Sequence, residues 1–131
     1  MGSKFLIVGG GTVYSTEEKV VGQWINNKPL YQKAISFTMP TVSGGASTNK
    51  DISISSLNAE YCNVVGGYIY ENTNNYYYPL NECWVTTTSE TSVTYFVRAY
   101  PRNTDIRIST NSPNMSQKSG YVIVQYTKTT D

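Results

Sequence analysis

Histidine is absent from this 131-residue chain, and that gap narrows the enzyme chemistry open to it at neutral pH. It is the commonest general base near neutrality and the commonest zinc ligand. Neither a Ser-His-Asp nor a Cys-His nucleophile system can be built without it. Cysteine is nearly as scarce. Cys62 and Cys83 are the only two, with no further nitrogen or sulfur ligand to complete a metal site. Two cysteines are also too few for a disulfide framework. They could form one bond, but two buried thiols acting as small hydrophobes is the preferred reading. No D-x-[DN]-x-[DN]-G calcium loop occurs either. The expectation is a protein with no cofactor, no metal and no catalytic residues.

Long apolar runs and charge imbalance are lacking too. The longest apolar stretch, Phe5 to Val8, falls far short of the roughly 18 residues of a spanning helix. It is also shorter than the core of about 7–15 residues that a signal peptide needs. No membrane insertion is expected. Ten basic residues against nine acidic ones leave a net charge of +1, and clusters such as Glu17-Glu18-Lys19 mix the signs. A nucleic-acid binder would show a basic stripe, so no nucleic-acid partner is expected.

Leu, Ala and Met together number 11, against 21 for Val and Ile. β-Branched side chains lose rotamer freedom in a helix and suit a pleated surface. Twelve tyrosines and sixteen threonines push the same way. Met1-Gly2-Ser3 reads as a cloning remnant and Gly9-Gly10-Gly11 as a linker, which sets residues 1–11 apart from a single domain over 12–131. The run from Phe5 to Gly11 imitates a dinucleotide fold, but the third glycine of that fingerprint is here Tyr14.

Strand-like runs alternate with turn signals. Val20–Ile25 and Leu30–Thr38 flank Asn26-Asn27-Lys28-Pro29, a hairpin turn, with Tyr31, Ile35 and Phe37 on one face. A short helix over Ser15–Ile25, with Ser15 and Glu18 at capping-box spacing, is the competing reading. Residues 42–51 read as a polar loop and Ile52–Ser55 as a strand. Tyr61–Tyr70 reads as a strand bulged at Gly66-Gly67. Tyr76–Leu80, Val93–Tyr100, Asp105–Ser109 and Tyr121–Thr127 follow, the last with Val122, Val124 and Tyr126 facing one way. Eight or nine short strands at this spacing predict an all-β antiparallel sandwich, jelly-roll-like.

One enzymatic option survives these exclusions. Glu60, Glu71 and Glu82 lie in the tyrosine-rich middle, where two could face each other as glycosidase carboxylates. Any soluble domain supplies such candidates, and the expectation is no enzyme. The stronger candidate surface is aromatic: Tyr68, Tyr70, Tyr76, Tyr77, Tyr78 and Trp84, interleaved with asparagines such as Asn72 and Asn74. Consecutive strand residues point to opposite faces, so Tyr76-Tyr77-Tyr78 cannot all be core. A rigid ring with a hydroxyl suits sugar rings and protein interfaces alike. Tyr68, Tyr70, Asn74, Tyr76, Tyr77, Tyr78 and Trp84 are the predicted ligand-binding residues. The competing reading is a tyrosine-rich core with solvated hydroxyls.

Two stretches carry a family resemblance: Tyr14–Lys33, which opens Tyr14-Ser15-Thr16-Glu17-Glu18 and closes Lys28-Pro29-Leu30-Tyr31-Gln32-Lys33, and Gly120–Asp131, which ends Gln125-Tyr126-Thr127-Lys128-Thr129-Thr130-Asp131. They resemble the YSTEE…VGxWxxxKPLYxK…QYTKTTD pattern of a terminal domain of phage and prophage structural proteins from gut bacteria, on tail and head fibres. The family often has DGK where this chain has Asn26-Asn27-Lys28, which keeps the turn chemistry. The match is close at both ends and loose over residues 40–110. The resemblance implies a virion protein made in the host cytoplasm and displayed at a fibre tip, commonly as a homotrimer. It also implies that the glycine linker joins an upstream shaft. It supplies no catalytic residues. A receptor such as a bacterial surface glycan would fall to the variable middle; a structural fibre cap and a bacterial carbohydrate-binding module are the alternatives.

Overall fold

Turn chemistry and period-2 alternation account for most of the strands. Between β1 (Lys19–Gln23) and β2 (Pro29–Thr38), Asn27 takes φ 67°, a left-handed conformation that asparagine tolerates. Asn75 (φ 58°) does the same between β4 (Ala59–Glu71) and β5 (Tyr76–Pro79), and Asn81 (φ 66°) ahead of β6 (Glu82–Thr87). β3 (Thr48–Ser53), β7 (Ser92–Pro101), β8 (Asp105–Thr110) and β9 (Ser119–Lys128) complete nine strands among the described residues. Single 3-10 turns lie at Ser55–Leu57 and Pro113–Met115. The computed structural model describes residues 14–87 and 90–131, so the segment 1–11 and its glycine linker lie outside the described residues.

Two antiparallel sheets face each other, in the strand orders β1-β2-β9-β4-β5 and β3-β8-β7-β6. This is the all-β sandwich the composition predicts. Its long-range pairs are nested, β9 lying between β2 and β4 while β8 pairs with β3. Nesting of that kind is jelly-roll-like. Inward residues alternate as expected: Val122, Val124 and Tyr126 of β9, Ile106 and Ile108 of β8 and Ile69 of β4 are all 0% exposed. Fully burying one such aliphatic side chain contributes roughly 1.5–3 kcal/mol.

Some local readings are corrected. The helix alternative over Ser15–Ile25 is not adopted; Lys19–Gln23 pairs with β2, and Ser15 Oγ accepts the Glu17 N–H at 3.0 Å in a two-residue turn. The polar loop read over 42–51 ends earlier, because Thr48–Asp51 pairs with β8 and Arg107 clamps Asp51 through bonds of 2.8 and 2.9 Å. That partner is 56 residues away, beyond the reach of local composition. β6 receives no strand assignment from its weak alternation and forms by pairing with β7. Both cysteines are free thiols. Cys62 is half-buried against the core, and burial pushes its thiol up to about 11. Cys83 is exposed on the edge strand β6, contrary to the expectation of two buried thiols.

Candidate functional site

Strand β4 changes parity part-way along. Cys62 and Val64 pack against the core and Ile69 lies within it, while Glu71, two residues on, is also buried. The switch is a bulge: Val64 pairs with Val124 and Gly66 with Ile123, leaving Val65 as the extra residue. Without that insertion the period-2 rule would turn Tyr68 and Tyr70 into the core. With it they stand on the outer face of the five-stranded sheet. The irregularity read at Gly66-Gly67 therefore exists, one residue earlier. Gly67 follows at φ 132°, where a Cβ would also meet the Tyr121 carbonyl oxygen at 2.2 Å.

Register then sets rows across this outer face. Tyr77, Tyr70 and Ser119 form one row; Tyr68, Tyr121 and Ser36 form the next. Ring centroids lie 4.8 Å apart for Tyr70 and Tyr77, 5.0 Å for Tyr68 and Tyr77, and 6.0 Å for Tyr68 and Tyr121. Glu71 holds the turn after β4, accepting the backbone N–H groups of Thr73 at 2.8 Å and Asn74 at 3.0 Å. Burial acts to raise its pKa, but these hydrogen bonds outweigh burial and hold the carboxyl below its usual value. The Tyr70 hydroxyl donates to Asn75 Oδ1 at 2.7 Å.

These rings wall a cleft of about 450 Å³. Asn72 closes it from the β4–β5 turn, and Gln117 and Lys118 from the loop before β9. That loop is fixed by its backbone. Gln117 N–H donates to the Pro40 carbonyl at 3.2 Å, Lys118 N–H to that of Met115 at 3.1 Å, and the Lys118 carbonyl accepts Met39 N–H at 2.8 Å. Lys118 Nζ donates to Asn72 Oδ1 at 2.8 Å and ties the two loops together. Beyond Tyr68 and Tyr121 the surface continues into an apolar depression of about 370 Å³ that includes Tyr14, Ala34 and Ile123.

Of the predicted ligand-binding residues, Tyr68, Tyr70 and Tyr77 line the cleft. Asn74 lies in the adjoining turn with its N–H bound by Glu71. Tyr76, Tyr78 and Trp84 belong to a separate ladder that continues to Tyr95, with centroid steps of 6.1, 5.1 and 5.9 Å. Tyr78 and Trp84 in this ladder are half-buried against the core. The sequence cluster thus divides between two faces, because Tyr77 and Tyr78 are neighbours on a strand. Tyr76 and Tyr77 are the exposed pair, at 57% and 64%. Ser36, Gln117, Lys118, Ser119, Gly120 and Tyr121 are the cleft residues that sequence reasoning misses. Strand parity is the sequence signal for two of them: Ser36 alternates with Ile35 and Phe37, and Tyr121 with Val122 and Val124.

None of Glu60, Glu71 and Glu82 lines the cleft. Glu60 pairs with Lys28 at 2.8 Å, Glu71 serves its own turn, and Glu82 is exposed at the start of β6. Among the described residues no group of three or more His, Cys, Asp or Glu is placed to hold a metal ion. No protein-family model, curated protein or solved structure matches the chain.

Proposed function

We propose that this domain is a non-enzymatic saccharide-binding module, with its site in the cleft between Tyr77 and Tyr121. The observation that carries the reading is the cleft's composition. Four tyrosine rings wall it, and serine hydroxyls, two side-chain amides and an ammonium rim it. Rings suit the apolar C–H face of a sugar, while hydroxyls and amides match its polar edge. The site sits on paired strands of a sheet, which favours a pre-formed cleft.

The resemblance of the chain ends supports placing this module at the tip of a phage tail or head fibre. There it would be homotrimeric, follow an upstream shaft and recognise a bacterial surface glycan. Exposed apolar side chains away from the cleft, Ile25 at 89% and Val20 at 61%, are surface that a symmetric interface would cover. The test is binding to host cells and to a bacterial glycan array by the parent and by Tyr68→Ala and Tyr77→Ala. Saccharide binding lost in both variants supports the reading. A trimer whose cleft tyrosines are buried between subunits, with no glycan bound, would establish a structural cap instead. A glycan-binding monomer would fit a bacterial carbohydrate-binding module.

A further inference from the structure

We infer that the saccharide taken by this cleft is acidic, and that its carboxylate seats on the ammonium of Lys118. The inference rests on the saccharide reading above and adds the charge of the ligand.

Among the described residues that line the cleft, Lys118 is the only charged side chain, so they offer one positive charge and no carboxylate. The carboxylates around it are accounted for elsewhere. Glu71 is 3% exposed, with both oxygens bound to its own turn. Lys50 and Asp51 line a neighbouring depression that shares Ser36 and Ser119 with the cleft, and Arg107 engages both oxygens of Asp51. Lys19, Lys28 and Lys128 each touch a carboxylate within 3.3 Å. Lys118 touches none among the described residues, and donates instead to the neutral Asn72 amide oxygen.

An ammonium has three N–H donors, so this contact leaves two for a ligand. Lys118 is half-buried with its backbone fixed at both N–H and carbonyl, so little order has to be imposed on binding. Neutral sugars present hydroxyl donors that carboxylates accept well, and this cleft supplies no carboxylate. One ammonium balances one negative charge. A sugar carboxylate fits that requirement, whereas a phosphate monoester, near −2 at neutral pH, leaves charge uncompensated. Apolar ring walls lower the local dielectric and strengthen the pairing.

The test uses an array of bacterial capsular and cell-wall polysaccharides, each printed in native form and after chemical reduction of its carboxyl groups. Binding should be confined to native uronic-acid-bearing polymers and fall about 10- to 100-fold on carboxyl reduction. Lys118→Met should lose it by a similar factor, while Lys118→Arg retains it within a few-fold; thermal melts confirm that both variants fold. Equal binding to native and reduced forms overturns this inference and leaves the saccharide reading standing. Binding confined to phosphodiester polymers, insensitive to carboxyl reduction but lost in Lys118→Met, assigns the charge to phosphate and also overturns it. Silence across the whole array overturns the saccharide reading itself.

Discussion

The carbonyl oxygen of Tyr68 occupies the space that a Cβ on Gly120 would need: the two would stand 1.9 Å apart. Ile69 Cα would lie only 2.9 Å away. Both are backbone atoms of the adjacent strand, so no side chain can rotate clear. This close approach of β9 to β4 is what sets Tyr121 beside Tyr68 at the cleft.

Gly120→Ala should therefore force two central strands apart. The expected cost is about 3 kcal/mol, the upper end for overpacking, read as a lowered urea midpoint. Saccharide binding should be lost with it. A variant within about 0.5 kcal/mol of the parent, the range of a neutral surface change, would show that the strands adjust freely.

Tyr77 and Tyr78 adjoin in sequence but should behave oppositely. Tyr77→Ala removes a ring that is 64% exposed and should cost under about 1 kcal/mol while abolishing saccharide binding. Tyr78→Ala removes a ring packed on Trp84 and the core. It should cost about 2 kcal/mol, less than the ~3–5 of a fully buried aromatic, and spare binding. Paired thermal melts and binding curves decide this, and a reversed order would show the parity of β5 to be misassigned.

Stability should fall at both ends of the pH range. Glu18, Asp51 and Glu71 are held below their ordinary values. Burial pushes Glu18 upward, but its hydrogen bonds from Lys128 and Tyr126 win; for Asp51 the Arg107 hydrogen bond dominates. A depressed carboxylate contributes stability above its unfolded value and loses it as pH falls through the folded one. The acid limb should thus begin near the ordinary glutamate value of 4.5 and deepen below it. Tyr126, raised chiefly by burial and then by its bond to Glu18, works in the other direction. Its contribution is full below pH 10.0 and is lost as pH rises beyond that. Melting temperature measured against pH checks both limbs, and Glu18→Gln should make the acid limb shallower. An unchanged slope in that variant would remove Glu18 from the account.

The proposed trimer predicts a solution mass of three 14.6 kDa chains by light scattering after size exclusion. A monomer of 14.6 kDa persisting at high concentration would overturn it. Ile25→Asp, at an 89% exposed position of the β1–β2 hairpin, should weaken the assembly without lowering the melting temperature of the isolated chain.

Local chemistry determined the fold class, the hairpin turn at Asn27 and the inward set of β9, because β-propensity, positive φ and period 2 act between near neighbours. Val122, Val124 and Tyr126 alternate in the sequence and are buried to the last atom in the sandwich. The tyrosine cluster was legible as a surplus of rings, though not which of them share a face. That was decided by the unpaired Val65, which reverses the parity of β4 and exists only relative to its partner strand. Tyr121 and Lys118 reach the cleft from about 50 residues along the chain through the β4–β9 register, and a register depends on which strands pair across the whole sheet. Amino-acid order thus determined what each strand could bury, and tertiary pairing decided which side chains meet.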